Sequence, residues 1–150
     1  MENGNEIAAP RIWVVLAKSY KAMASFVERQ VAGQGLGLSD FMVLEVLLHK
    51  GPLTISAIGE KVLLANASMT SAIDRLEDKG YVVRKTSEQD RRIRRVELTT
   101  EGKSFISRIY RRHEAAIESL MSGLGSEERA ALHSSLKKIG LAAASTNEHG

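Results

Sequence analysis

The chain has 150 residues, of which 43% are hydrophobic and 26% charged, with two prolines; this is enough apolar content for one globular, mostly helical domain with a real core. It contains no cysteine, which excludes disulfides, thiolate metal sites and thiol-based oxidation sensing. A total of 21 Lys+Arg against 18 Asp+Glu leaves a formal net charge of +3, too mild to assign a polyanionic partner until the charges are located along the chain.

Apolar runs such as Ile12 to Ala17 fall far short of the roughly 20 residues that span a bilayer. Met1 to Asn5 is acidic and polar, without the basic start of a signal peptide, so the expected location is the cytoplasm. The first helix is marked by Ile12, Leu16, Tyr20, Met23, Val27 and Val31 at steps of three and four, and Gly33, Gly35 and Gly37 stop it. Ser39 is the expected cap of a second helix with Phe41, Leu44, Leu47 and Leu48 inward, closed by Gly51-Pro52. A short third helix is expected from Ile55 to Val62. After a connector, a fourth runs from Ser68 to Lys79 with Asn66 as its cap, Met69, Ala72, Ile73 and Leu76 inward, and Gly80 as a left-handed stop.

At Tyr81 the period changes. Tyr81 to Lys85 and Arg94 to Leu98 read as two strands of a hairpin with a long polar tip, Thr86 to Ile93. Thr99 or Thr100 then caps a long fifth helix with the stripe Phe105, Ile109, His113, Ala116, Ile117, Leu120 and Leu124. Ser126-Glu127-Glu128 opens a sixth helix with Leu132, Leu136 and Ile139 inward. The tail from Ala142 is expected to fray. The apolar stripes of the first, fifth and sixth helices exceed what a central module of about 60 residues can cover, so a second copy of the chain is the simplest partner for them. A fold-back as a monomeric helical cap is the alternative.

Two helices joined by a short turn and followed by a basic hairpin have a mechanical meaning for DNA. The second helix of such a pair enters the major groove with its N-terminal residues at the base edges. Asn66, Ser68, Thr70 and Ser71 stand there; Asn suits an adenine edge, and hydroxyls suit a base or a phosphate, unless these residues only cap their own helix. On the hairpin, Arg84, Lys85, Arg91, Arg92, Arg94 and Arg95 face only Glu88 and Asp90, a local positive field whose arginine tip suits a narrow minor groove. Asp90 is placed to hold Arg92 extended, and Asp74 to anchor the hairpin root.

From Leu38 to Lys103 these motifs resemble the MarR family of winged helix-turn-helix regulators. The residues that carry the likeness are Gly51-Pro52-Leu53-Thr54, Leu76-Glu77-Asp78-Lys79-Gly80, Asp90-Arg91-Arg92 and Leu98-Thr99-Thr100-Glu101-Gly102. The resemblance implies a mainly α fold with a winged helix-turn-helix at 39–99, a helical dimerisation region at 8–34 and 100–142, and flexible tails at 1–7 and 143–150. It implies a homodimeric, sequence-specific DNA-binding regulator, a repressor, on an inverted repeat. The residues assigned to DNA are Asn66, Ser68, Thr70, Ser71 and Arg75 on the fourth helix and Arg91, Arg92 and Arg94 on the hairpin, with Asp74 and Asp90 orienting the wing. The family often binds small phenolic or aromatic acids, for which Trp13, Tyr20, Phe41 and Met42 are the candidate walls and Arg11 or Lys18 the candidate counter-charge; core packing is the competing role for these residues.

Departures from the family pattern are Gly59, at an expected buried position usually held by Ala, Leu63 in place of a turn Gly, and Ala65 and Ala67 in place of polar residues. His49, His113 and His133 show no metal-ligand spacing, and neither a catalytic triad nor a phosphate-cradling Gly loop is present, so no cofactor and no catalysis are expected. The rival function is a winged-helix module that docks on a protein instead of DNA.

Overall fold

The computed structural model describes residues 6–62 and 68–147. The order is α1 (Ala9–Ala32), α2 (Leu38–Lys50), α3 (Ile55–Lys61), α4 (Met69–Asp78), β1 (Val82–Thr86), β2 (Arg94–Leu98), α5 (Thr100–Leu120) and α6 (Ser126–Asn147). Leu63, Ala65, Asn66 and Ala67 lie outside the described residues. The chain divides into two compact units, residues 1–113 and 114–150, so α1 belongs with the winged helix and α5 contributes to both units.

The core of the first unit is built from the end of α1, α2, α3, α4, the hairpin and the start of α5. Phe41, Leu44, Ile58, Ile73, Leu76 and Ile106 are all fully buried there. On α2 the inward face is Asp40, Val43, Leu44 and Leu47, a spacing of three, four and seven that puts an acid on the buried side. Leu48, expected inward, is only half-buried, while Ile106 on α5 is buried although the sequence stripe ran through its neighbours. Ser39 does not cap α2. Gly37 precedes the helix without a side-chain cap, and Ser39 sits inside the first turn.

Gly51-Pro52-Leu53-Thr54 does three jobs in four residues. Gly51 takes φ +76, the left-handed region that favours glycine, and so ends α2. Leu53 forms a β-bridge with Val96, each N–H donating to the other's carbonyl at 3.1 and 2.7 Å, which ties the loop to the hairpin. Thr54 then caps α3, its hydroxyl accepting from the Ala57 N–H at 3.1 Å. Gly59 on α3 is exposed, contrary to the buried position expected for it. A Cβ there would meet only Met69 Cγ at 3.5 Å, an ordinary contact, so the position tolerates alanine.

The hairpin is antiparallel with Val82 opposite Leu98 and Arg84 opposite Val96, and alternation places Val82 and Val96 in the core. It begins one residue later than the sequence suggests because Tyr81 is spent on the end of α4. The Tyr81 N–H donates to Leu76 O and the Gly80 N–H to Glu77 O, both at 2.9 Å, with Gly80 at φ +79: a Schellman stop.

In the second unit, Arg129 on α6 closes the α5–α6 turn. Its guanidinium donates to the Leu124 and Met121 carbonyls at 3.2 and 2.9 Å and pairs with Glu118. Helix α6 continues to Asn147 where fraying from Ala142 was expected. Its stripe of Leu132, Leu136 and Ile139 is exposed, not inward. The same holds for the first two-thirds of α1. Ile12 and Tyr20 are exposed, Leu16 and Met23 half-buried, and only Val27 and Val31 reach the core.

Candidate nucleic-acid interface

Helix α4 buries Ala72, Ile73 and Leu76 and turns Ser68, Thr70, Ser71, Asp74, Arg75 and Asp78 to the exterior. One polar face, running the length of the helix, is therefore exposed among the described residues, and two of its side chains, Asp74 and Arg75, are tied to neighbouring elements. Ser68, not Asn66, is the residue that caps α4, its hydroxyl accepting from the Ser71 N–H at a long 3.4 Å. The cap leaves the Ser68 O–H proton, and the hydroxyls of Thr70 and Ser71, able to donate outward.

The wing is held beside this face by charge. Arg84 at the wing root donates through Nη2 to Asp74 at 2.6 Å and through Nη1 to Glu77 at 2.8 Å, while its backbone N–H donates to the other Glu77 oxygen at 3.2 Å. Its pKa is raised above the ordinary arginine value, first by the hydrogen bond to Asp74, against the opposing effect of partial burial. Asp74 thus meets the wing through Arg84; the acid next to Arg92 is Asp90. The Asp90 carboxylate accepts from the Arg92 N–H, two residues on, at 3.0 Å, an Asx turn that folds the tip, and it stands 3.7 Å from the Arg92 Nε. In the motif Asp90-Arg91-Arg92 the acid shapes the bend and the arginines project from it, Arg92 with 94% of its side chain exposed.

The six hairpin cations are consequently not equivalent. Arg84 is consumed at the root, and Lys85 pairs with Glu97. Arg91, Arg94 and Arg95 are exposed and pair with no acid among the described residues. With Arg92 they make the positive end of the finger.

The far end of α4 is locked to α5 by Leu98-Thr99-Thr100-Glu101-Gly102. The Thr99 hydroxyl donates to Gly80 O at 2.7 Å and accepts from the Gly102 N–H at 2.9 Å, capping α5. A Cβ at Gly102 would overlap the Tyr81 carbonyl, so the close approach requires glycine. The Tyr81 and Phe105 rings stack beside it with centroids 4.3 Å apart.

Arg75 differs from the other assigned cations. Its Nη2 donates to Asp40 Oδ1 at 2.8 Å and its Nε approaches Oδ2 at 3.5 Å. Its pKa is raised, chiefly by that hydrogen bond and then by the Asp40 charge. Asp40 was not singled out in the sequence; an acid in phase with Val43, Leu44 and Leu47 was the available signal.

The four candidate ligand walls have different environments. Trp13 and Tyr20 are 67% and 55% exposed on α1, Met42 is half-buried, and Phe41 is fully buried, its ring 4.9 Å from that of His113. A cleft of about 420 Å³ lies instead beside Glu45, Val46, His49, Lys50, Glu60 and Lys61, none of them among those walls. Among the described residues no group of three or more His, Asp or Glu is placed to hold a metal, and no helix is long and apolar enough to cross a membrane.

Residues 36–93 match the MarR family model. The chain is 35% identical over 131 residues to the HTH-type transcriptional regulator MhqR of Bacillus subtilis, covering 87% of this chain and 90% of that one. It is 32% identical over 107 residues to the HTH-type transcriptional regulator PecS of Dickeya dadantii, covering 69% and 64%. Among solved structures, a MarR family regulator from Neisseria meningitidis superposes with a TM-score of 0.72 at 22% identity, over 89% of this chain and 94% of that one. BpsR of Bordetella bronchiseptica, whose DNA binding is regulated by 6-hydroxynicotinic acid, superposes with a TM-score of 0.73 at 22% identity, over 87% and 98%. The structural likenesses carry the winged-helix fold, and the identity and coverage shared with MhqR carry the lineage: the chain belongs to the MarR family of DNA-binding transcriptional regulators.

Proposed function

We propose that this regulator is a cytoplasmic homodimeric repressor that grips an inverted repeat, with α4 in the major groove and the wing in the adjacent minor groove. The observation that supports this reading is the Arg84 bridge to Asp74 and Glu77, which sets an arginine-tipped finger beside an exposed polar helix face. Ser68, Thr70 and Ser71, with Asn66 beyond the described residues, are assigned to base edges and nearby phosphates. Arg92 is assigned to the minor groove, and Arg91 and Arg94 to its flanking phosphates. Residues 39–99 bind DNA in this reading. Dimerisation falls to 8–34 and 100–142, where the exposed Ile12, Trp13, Leu132, Leu136 and Ile139 support burial against a second copy.

Release by a small aromatic acid belongs to the same proposal. BpsR responds to such a compound, and Trp13 and Tyr20 are exposed for it, whereas Phe41 is fully buried and offers a ligand no surface in the single chain. The walls are completed, in this reading, by the partner copy.

Salt tests the DNA reading. With about eight phosphates neutralised per dimer, log affinity for duplex DNA is expected to fall against log salt with a slope of roughly −7. A slope near zero, with no displacement by a polyanion, would favour the protein-docking module instead.

A further inference from the structure

Asp40 is the only charged residue buried among the described residues, at 5% exposure, and the one counter-charge bonded to it is Arg75, whose side chain is 48% exposed on the outer face of α4. Arg75 therefore stands between two anions: the carboxylate beneath it and any phosphate that approaches α4. The two are unequal. Asp40 has given up most of its water and depends on Arg75, whereas a backbone phosphate keeps solvent and counterions around it. The pair is expected to stay closed when DNA binds. Closed, it has no net charge and releases no counterion.

The fork also has geometric content. Nε and Nη2 of one planar guanidinium address the two oxygens of one carboxylate, which fixes the rotation of α4 about its axis against α2, one turn beyond Ser71. We propose that Arg75 is a positioning residue for base reading, holding Ser68, Thr70 and Ser71 in one register through Asp40, and takes no phosphate itself. This rests on the DNA-binding reading above.

The test compares the wild type, Asp40→Asn/Arg75→Gln, Arg75→Lys and Arg92→Ala on two duplexes over a salt series. One duplex is the tightest recovered by the wild type from a random pool, and the other is a random sequence of equal length. The Asp40→Asn/Arg75→Gln protein keeps the net charge. It is expected to keep the wild-type salt slope on the random duplex and to lose about tenfold in preference for the selected one. Arg92→Ala should flatten the slope by about 0.9 per wing. Arg75→Lys, which keeps the charge without the fork, is also expected to lose preference, and it decides the matter if the double variant does not fold.

A slope flattened in the double variant as much as in Arg92→Ala would make Arg75 a phosphate ligand and overturn the proposal. Undiminished preference in either Arg75 variant would overturn it too, since a contact that only stabilised the fold would move melting and not preference. Wild-type protein without salt-dependent duplex binding would instead remove the DNA reading itself.

Discussion

Alanine at position 102 is expected to cost about 3 kcal/mol or more of stability, a fall in melting temperature of roughly 6 to 12 °C for a chain of this size. The added Cβ has no space, because the Tyr81 carbonyl occupies it. Backbone, unlike a flexible side-chain end, cannot turn aside. To admit the methyl group, α5 must lift from the end of α4, and the Thr99 bond to Gly80 O and the Thr99 N–H bond to Tyr81 O are strained together. Gly59→Ala is the control. It adds the same methyl to a helix where the nearest atom, Met69 Cγ, is 3.5 Å away, and helix propensity there favours alanine by up to about 1 kcal/mol. Thermal melts at equal protein concentration should therefore move in opposite directions for the two variants. Equal melting of Gly102→Ala and the wild type would mean that α5 does not start where we place it.

Arg92→Ala is expected to have the reverse signature, weakening operator binding by about 1 to 3 kcal/mol with almost no change in melting. The Arg92 side chain is 94% exposed, and its one ion pair among the described residues is with Asp90, at 3.7 Å, so the fold has little to lose. The bend of the tip survives, because it depends on the Asp90 carboxylate and the Arg92 backbone N–H, which alanine retains. The affinity that is lost then reports the guanidinium alone. Electrophoretic or fluorescence titration of the two proteins on one duplex, at one salt concentration, measures it; equal affinities would remove the wing tip from the interface.

Much of this architecture is legible in the sequence because it is local. Alternation in Val82-Val83-Arg84 and Arg95-Val96-Glu97 marks the hairpin and its buried face, and Gly80 and Thr99 mark helix ends through their own conformational and hydrogen-bonding preferences. The charge assignments were less legible. Counting along the chain makes Arg84 and Arg92 look alike, yet one is bound to Asp74 and Glu77 and the other is free to reach outward, since pairing depends on which face of α4 meets the wing. Asp40 and Arg75 are 35 positions apart, and only the packing of α2 on α4 brings them together. The stripe of α1 shows the same limit. Period identifies an apolar face but not what covers it, and in the single chain Ile12 and Tyr20 remain uncovered.

Selection of bound sequences from a random duplex pool tests the central claim most directly, because major-groove reading, minor-groove reading and twofold symmetry all leave marks on the recovered DNA. The proposed grip predicts an inverted repeat with half-site centres about 10 bp apart and A/T-rich steps where each wing enters. Recovery of sequences no different from the starting pool, or of a site without symmetry, would contradict it.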